Sequence, residues 1–442
     1  MSVISNILRQ TPPTNRKQFI IESFTKNYPE LIAGDPSAWR GKFRKMSESA
    51  LAFYRGTAAL FYADVSRDED PFLNEKTSRV WIQGDLHAEN FGTYLNGAGQ
   101  FVFDVNDFDE AYVGPFSWDV KRFCAGLALI GYKKALSDAE IRELISNAAG
   151  SYARQVARFA QGKDKNFSLR LDTAQGAILN IIQEARQLTR NELLSYDTEI
   201  RDGDRFFKNN KNCIPADEVT RAQVLAAMEA YYQTIPARKK RSRINYKLKD
   251  VVRRKGLGIG SAGLEMYSVL LEGETEALEN DLVISMKVSL PSAVEQYIAD
   301  PAIKAYFLHE GHRTAVSQRA LQAHADPLLG HATLNGKGVF VCEVSPYTAD
   351  LNWDELNDFD EMMEVTAALA RCVAKIHCVS DEDSDQTLIN YSTEQAINQV
   401  LNGRESDFVQ HVTEFGEQYA ACVRADHQLF ADAFRNREIP GV

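Results

Sequence analysis

The alternation of apolar and polar residues changes character several times along the chain. Residues 1–80 are predicted to be mostly helical, because the apolar positions of 47–65 recur at helical spacing. The runs Arg79–Gln83 and Gln100–Asp104 are short and β-like, and the glycines and asparagines between them indicate loops and a turn. The pattern is helical again from about 117 to 235, which includes a capping box at Ser137-Asp-Ala-Glu140.

A β-rich region follows Arg254. Three apolar stretches separated by glycine turns predict strands in GLGIGSAGLEMYSVLLEG, DLVISMKVSL and GVFVCEVSPY. Helical spacing returns at 359–378 and again from Ser392, which opens another capping box, to about Phe434. These changes predict four segments. They are an N-terminal helical segment (1–78), a segment of loops and helices (79–240), a β domain (241–350) and a group of C-terminal helices (351–442).

Length and composition favour a large folded core without a membrane segment. The 442 residues are 44% hydrophobic, and the net charge of −11 argues against a general affinity for nucleic acid or anionic lipid. The six cysteines form no CxxC pair, so buried reduced thiols are expected. Since no apolar run is long enough for a signal peptide or a membrane span, we expect a cytoplasmic protein.

Carboxylates and an asparagine around the first two strands have the composition of a phosphoryl-transfer centre. Gly84-Asp-Leu-His-Ala-Glu-Asn90 is followed, after a turn and a strand, by Val105-Asn-Asp107-Phe-Asp109-Glu. Phosphoryl transfer needs a base near the acceptor hydroxyl and oxygen ligands for magnesium. Either fragment alone is usually a turn or a solvated acidic loop, but their order and spacing together favour a catalytic centre.

The β-rich region contains residues suited to nucleotide binding. Lys287 lies in a predicted strand, Glu295 follows on a predicted helix near Pro291, and backbone groups at Cys342 and Val344 are candidates for adenine. A glycine-rich turn over the phosphates and a strand lysine paired with a helix glutamate are the parts such a site requires. The candidate phosphate-binding residues are Gly256, Gly258, Gly260, Ser261 and Gly263.

The motifs GDLHAEN, NDFDEA and GPFSWD resemble those of the aminoglycoside and choline phosphotransferase branch of the protein-kinase-like superfamily. The resemblance implies an α+β fold with a small β-rich nucleotide lobe and a large helical lobe, and ATP and Mg²⁺ as cofactors. It implies that Asp85 is the base and that Asn90 and Asp107 hold the metal, with Asp109 as a second contact. Asp119 would brace the catalytic loop, and Gln83 stands where the family often has histidine.

The order of the two lobes is the reverse of that in ordinary kinases, because the glycine-rich region follows the catalytic loop. A circular permutation explains this order, and the stretch 368–377 resembles the helix that normally runs into HGDLH. We therefore expect a phosphotransferase that acts on a small hydroxylated acceptor of unknown identity.

Residues from about 45 to 430 also resemble an uncharacterised bacterial family labelled domain of unknown function 2252. The shared marks are FYRGT, GDLHAENFG, NDFDEAYVGPFSWDVKR and GIGSAG. This resemblance brings no established activity and does not identify the acceptor.

Several alternatives remain open at the level of sequence. The chain could be an ATP-binding regulatory pseudokinase or a nucleotidyl transferase, and the Asp85-Leu-His87 sequence also begins the metallophosphoesterase motif. Ten of the eighteen residues of 238–255 are Lys or Arg, which fits a nucleic-acid footprint, a collar around ATP or an anionic acceptor, or a solvated face. His309-Glu-Gly-His312 lacks the spacing of a zinc-binding HExxH helix.

Overall fold

A computed structural model describes residues 15–164, 167–236, 247–255, 262–322, 325–382, 384 and 386–442. The described helices are α1 (Arg16–Thr25), α2 (Pro29–Gly34), α3 (Pro36–Met46), α4 (Ala50–Arg55), α5 (Ala58–Val65), α6 (Phe116–Lys133), α7 (Asp138–Ala160), α8 (Gly176–Ala185), α9 (Arg190–Asp197), α10 (Glu218–Thr234), α11 (Pro301–Tyr306), α12 (Glu310–Gln322), α13 (Phe359–Cys378), α14 (Thr393–Leu401) and α15 (Glu405–Arg435).

The described strands are β1 (Val80–Ile82), β2 (Phe91–Leu95), β3 (Phe101–Val105), β4 (Tyr112–Gly114), β5 (Thr198–Arg201), β6 (Asp204–Phe207), β7 (Cys213–Pro215), β8 (Leu248–Arg254), β9 (Met266–Leu271), β10 (Leu282–Val288), β11 (Gly330–Leu334) and β12 (Lys337–Glu343). The pairs β1–β4, β2–β3 and β5–β6 form two-stranded antiparallel sheets. The other six strands form one antiparallel sheet in the order β11-β12-β10-β9-β8-β7. The protein is therefore an α+β structure, as the sequence predicted.

The largest hydrophobic core joins helices from both ends of the chain. It contains buried residues from Ile20 to Ile182 and again from Leu351 to Ile439. Helix α13 has the predicted bounds 359–378, and the predicted capping box of Ser137 and Glu140 begins α7. The C-terminal helices thus complete the same body that carries β1–β4.

An ion-pair cluster joins the first described helix to the last. The Arg16 guanidinium lies 2.6 Å from a carboxylate oxygen of Asp64 and 2.6 Å from one of Asp426. The predicted helical stretch 47–65 is divided at Gly56 into α4 and α5. Helices α1, α5 and α15 are therefore held together at one point of the helical body.

The six-stranded sheet has its own core, which extends beyond the predicted boundary at residue 240. Val224, Met228 and Tyr231 of α10 are buried in the same cluster as sheet residues such as Val269 and Val339. Helix α10 therefore belongs with the sheet rather than with the helical segment predicted for 79–240, because its apolar face covers β11 and β8.

Local elements in and near the sheet differ from the sequence prediction. Strands β5, β6 and β7, at 198–215, lie in the stretch 117–235 that was predicted to be helical. The helix expected near Pro291 is only the single 3₁₀ turn Glu295–Tyr297. Strand β8 lies within the basic stretch, for which no strand was predicted. Its two buried apolar residues, Val251 and Val252, are flanked by charged residues and form no apolar run in the sequence. Strand β11 was also missed, because GHATL is short and only half apolar.

The chemical state of the cysteines and the helix lengths agree with the composition. All six cysteines are free thiols, as predicted. Cys124, Cys213 and Cys372 are buried, whereas Cys342, Cys378 and Cys422 are only partly buried. None of the described helices combines the length and the apolar character that a membrane crossing requires.

Lys121 on α6 provides a test of how buried charge supports this fold. Its ammonium is fully buried and donates to Asp68 at 2.6 Å and to Asp70 at 2.7 Å. Lys121→Met leaves both buried carboxylates without this cation, so we expect the free energy of unfolding to fall by about 3–5 kcal/mol. Urea denaturation of wild type and variant at neutral pH measures this difference.

The same comparison has a predicted pH dependence. Burial opposes the charge of Asp70, but Lys121 outweighs that effect and lowers the pKa of Asp70 below its ordinary value of 3.8. The stabilisation is therefore present above pH 3.8 and is lost as the pH falls through the lower folded-state pKa. Lys133→Met is the control, since its partner Asp354 is exposed, and we expect a loss of at most about 1 kcal/mol. Equal losses in the two variants would contradict the prediction.

Candidate active site

The loop between β1 and β2 is held by a buried carboxylate. Asp119, at the start of α6, accepts hydrogen bonds from the backbone nitrogens of Gln83 at 2.6 Å and Gly84 at 3.0 Å. Gly84 has a φ of +84°, and a β-carbon there would lie 2.0 Å from the carbonyl oxygen of Glu110, so only glycine fits. The bracing role predicted for Asp119 is thus present in the geometry.

Gln83 connects this loop to the segment after β3. Its side-chain nitrogen donates to the carbonyl oxygens of Asn106, at 3.2 Å, and Asp107, while its side-chain oxygen accepts from the Asp85 backbone nitrogen at 2.7 Å. Gln83, which stands where the resembling family often has histidine, thus links the two loops that carry the predicted catalytic residues.

Asp85 faces a buried arginine that sequence reasoning did not identify. The Arg122 side chain is fully buried, and its Nε donates to an Asp85 carboxylate oxygen at 2.6 Å. Burial raises the pKa of Asp85 to about 7, with further contributions from Glu110 and Asp107, although Arg122 opposes the shift. The Arg122 guanidinium also lies 4.3 Å from the Tyr54 ring centroid. The only sign of Arg122 in the sequence was its position at the end of NDFDEAYVGPFSWDVKR, one of the motifs shared with the uncharacterised bacterial family.

Asn90 directly precedes β2 and Asp107 follows β3, so both residues lie at the open end of the β2–β3 hairpin. The Asn90 side-chain nitrogen donates to the Asp85 carbonyl oxygen at 3.0 Å, and the Asn106 backbone nitrogen donates to the Asn90 carbonyl oxygen at 3.0 Å. Asp107 has a φ of +56°, a conformation that aspartate and asparagine tolerate better than most residues. The hairpin thus brings Asp85, Asn90 and Asp107 together as predicted.

Lys287 reaches this group, but its partner is not the predicted glutamate. Its ammonium forms an ion pair with Asp109, whereas Glu295 pairs with Lys304 at 2.8 Å. The predicted Lys287–Glu295 pair is therefore wrong, because Glu295 lies on a single turn that faces α11. Burial opposes the charge of Lys287, but Asp109 and Asp107 outweigh it and raise the pKa of the lysine.

Two adjoining cavities meet at Asp107, Asp109 and Lys287. The smaller one, of about 80 Å³, also contains Asp85, Glu110, Lys42 and Arg55 in its wall. The larger one, of about 460 Å³, extends over the sheet face that carries Ser285 and Cys342, beside Thr314 and Gln318 of α12. Asp85 therefore lies in the enclosed end of a longer cleft between the sheet and the helical body.

The predicted nucleotide-binding backbone is only partly available. Cys342 lines the larger cavity, but the Glu343 backbone nitrogen donates to Asp326 at 2.9 Å and that of Val344 donates to the Val283 carbonyl oxygen at 2.8 Å. The Val344 N–H, one of the backbone groups predicted to be available to adenine, is therefore already bonded to a neighbouring strand. Of the predicted glycine-loop residues, Gly263 has a φ of +77°, and the following lie outside the described residues: Gly256, Gly258, Gly260 and Ser261.

The wall opposite the sheet comes from the first helices of the chain, α1–α5 (Arg16–Val65), which we call the amino-terminal cover. Tyr28, Trp39 and Lys42 of this region line the smaller cavity beside Asp85. Burial lowers the pKa of Lys42 to about 8, while Glu110 and Asp85 oppose the shift. Sequence reasoning treated this region only as helical, because no motif distinguishes Lys42 from an exposed helix residue.

The donor atoms suit magnesium better than a closed metal cage. In the described part of the chain, no three His, Cys, Asp or Glu side chains are arranged to hold a metal ion. Magnesium commonly binds through one or two carboxylates, with phosphate oxygens and waters as its remaining ligands. Burial and the neighbouring charge of Asp109 raise the pKa of Asp107, and a cation there would relieve this repulsion. Asp107 and Asp109 line both cavities and therefore fit such an ion. Asn90 lines neither cavity and is held beside this group by its bond to Asp85.

The other candidate features lie apart from this cleft. His87 is buried, and its Nδ1 accepts a hydrogen bond from the Glu89 backbone nitrogen at 3.3 Å. Within the basic stretch, residues 238–246 lie outside the described residues, whereas Lys249 and Arg254 form ion pairs with carboxylates. His309 precedes α12, and His312 lies in its first turn.

Comparison with known proteins yields a family but no described activity. The family model described as "Uncharacterized protein conserved in bacteria (DUF2252)" matches residues 34–433. Searches of curated proteins and of solved structures give no match. The matched region contains the β1–β4 unit, the six-stranded sheet and α3–α5 of the amino-terminal cover. The chain therefore belongs to the family of uncharacterised bacterial proteins designated domain of unknown function 2252.

Proposed function

We propose that this protein is an ATP- and Mg²⁺-dependent phosphotransferase with a circularly permuted, protein-kinase-like arrangement of its two lobes. The observation that carries the proposal is the convergence of Asp85, Asp107 and Lys287 on one cavity, although they come from distant parts of the sequence. These are the groups needed for a base, a metal site and a phosphate-binding cation.

The connectivity of the sheet supports the same assignment. Strands β8, β9 and β10 form an antiparallel meander, and Lys287 lies on the third of them. In protein kinases the phosphate-binding lysine is on the third strand and the glycine-rich loop precedes it. Helix α12 then separates β10 from β11, as the helix of a kinase small lobe follows its third strand, but its cavity-facing residues are Thr314 and Gln318 rather than a glutamate.

The permutation is supported by the packing of α13. In the described structure α13 contacts β1, the strand that leads into Gly84-Asp85. His377, near the end of α13, lies 3.3 Å from the Asp119 carboxylate and 2.8 Å from the Tyr152 hydroxyl. A helix from late in the sequence thus occupies the place of the element that directly precedes the catalytic loop in the resembling enzymes.

In the proposed reaction each of these side chains has one role. The hydroxyl oxygen of the acceptor attacks the terminal phosphorus of ATP, the bond from that phosphorus to the bridging oxygen breaks, and ADP leaves. Asp85 accepts the hydroxyl proton, and Arg122 holds its carboxylate in place. Lys287 binds phosphate oxygens after exchanging its contact with Asp109, and Asn90 with Asp107 would hold magnesium, which neutralises charge on the triphosphate.

The size of the smaller cavity favours a small acceptor. Asp85 is 17% exposed, and the amino-terminal cover lies between it and bulk solvent. A folded protein substrate could not bring a side chain into this enclosed end without displacing the cover. The phosphoesterase alternative has less support, because it needs His87 as a metal ligand and the His87 Nδ1 already accepts a hydrogen bond from the Glu89 backbone nitrogen.

Replacement of Asp107 tests the metal site. Asp107→Asn keeps a residue that tolerates the positive φ but removes the charge, so we expect the magnesium-dependent part of ATP affinity to be lost. Isothermal titration calorimetry with and without Mg²⁺ measures it. Asp202→Asn is the matched control, since Asp202 is an exposed aspartate with a φ of +51° in a distant turn. Undetectable ATP binding by the wild type would refute the proposed function.

Replacement of Asp85 tests the base. Asp85→Asn should lower the rate of phosphoryl transfer by about 10²–10⁴-fold, the usual contribution of a general base. ATP affinity should change little, because Asp85 interacts with the acceptor rather than with the nucleotide. Release of ADP with water as acceptor provides the assay before the natural acceptor is known. A variant with wild-type turnover would exclude Asp85 as the base.

A further inference from the structure

Lys42 is a cation in the wall of the smaller cavity, and no carboxylate of the described residues pairs with it. It lies on α3, and among the described residues it forms no ion pair. Its ammonium instead lies 4.6 Å from the Trp39 ring centroid and 5.5 Å from that of Tyr28. Burial lowers its pKa to about 8, which reflects the cost of keeping this charge away from water.

Trp39 adds a second unsatisfied donor at the same place. Its side chain is 1% exposed and lines the smaller cavity, and its Nε1 has no hydrogen-bond partner among the residues that the structure describes. Buried indole nitrogens normally find an acceptor. Gly263 approaches so closely that a β-carbon there would lie 3.2 Å from this nitrogen.

The other groups in the cavity limit what an occupant can be. Asp85 and Glu110 provide negative charge that interacts with Lys42, and Lys287 lies close enough to oppose its charge. Two lysines that repel each other, together with an indole donor, match an occupant that carries several negative charges. In the proposed reaction the transferred group must lie between the base Asp85 and the metal site at Asp107, which both line this cavity.

Resting on the phosphotransferase function above, we propose that Lys42 and the Trp39 indole nitrogen bind the terminal phosphoryl group of the nucleotide. The amino-terminal cover then supplies a positive charge from outside the two lobes. A cation held at this position stabilises the charge on the phosphoryl group during transfer. Its contact is with the terminal phosphate, so it distinguishes ATP from ADP.

Nucleotide selectivity tests this assignment. Calorimetry with Mg²⁺ compares a non-hydrolysable ATP analogue with ADP, on wild type, Lys42→Met and Lys45→Met. We expect Lys42→Met to weaken binding of the ATP analogue about tenfold or more, as for loss of a charge-assisted hydrogen bond, and to leave ADP binding unchanged. Lys45, exposed on the same helix, serves as the matched control and should affect neither ligand.

The possible outcomes separate the two proposals. If wild type binds both nucleotides and Lys42→Met changes neither affinity, or lowers both equally, the role of Lys42 is overturned while the phosphotransferase function stands. If wild type binds neither nucleotide, both proposals are overturned. Lys42→Met removes a charge without an ion-pair partner, so we expect no loss of thermal stability.

A measurement on the unmodified protein makes the test independent of any variant. Lysine acylation by an N-hydroxysuccinimide ester, followed by peptide mass spectrometry, reports the accessibility of each amine. The ATP analogue with Mg²⁺ should protect Lys42 from acylation more than ADP does, while Lys45 should react equally in every condition. Equal modification of Lys42 with both nucleotides would overturn the assignment.

Discussion

One buried guanidinium fixes the distance between the two parts of the cleft. Arg313 on α12 is 1% exposed and donates to the carbonyl oxygens of Ala111 at 2.7 Å, Asp109 at 2.9 Å and Leu290 at 2.7 Å. It therefore ties the acidic loop after β3 to the chain that leaves β10, the strand of Lys287. Because a planar guanidinium has donors in a fixed fork, the acidic loop, the chain after β10 and α12 itself cannot shift independently. The meeting of Lys287 with Asp109 depends on this connection.

A second buried polar group performs the corresponding task within the helical body. Asp119 accepts from the backbone that precedes Asp85 and lies beside His377 from α13. The loop that carries the proposed base is thus positioned by α6 and contacted by a helix from late in the chain. Residues distant in sequence can form one site here because the hydrophobic core joins both chain ends around the same loops.

The sequence predicted which residues surround the candidate site better than it predicted the contacts between them. A sequence motif contains Asp85, Asn90 and Asp107, because backbone geometry and chemistry constrain both the type and the spacing of these residues. The partner of Lys287 could not be read in the same way, since the pairing with Asp109 depends on how the sheet meets the hairpin. Arg122 and Lys42 were missed for a related reason: a charged residue on a helix is usually solvated, and only the packing of α6 and α3 directs these two inward. The order of the long helices followed from periodicity, as did five strands, β1, β3, β9, β10 and β12. The other seven described strands were not predicted, because they are short or lack an apolar run.

The distribution of the two hydrophobic cores along the chain has a consequence for synthesis on the ribosome. The sheet and its covering helix are built from a continuous stretch, so their core can form as soon as β12 has left the exit tunnel. The body that carries Asp85 must wait for α13 and α15, because their apolar faces fill the core around α6 and α7. During translation the nascent chain thus contains a folded sheet before the loop that carries Asp85 is assembled. Such long-range closure is slow and leaves apolar surface exposed for chaperones to bind.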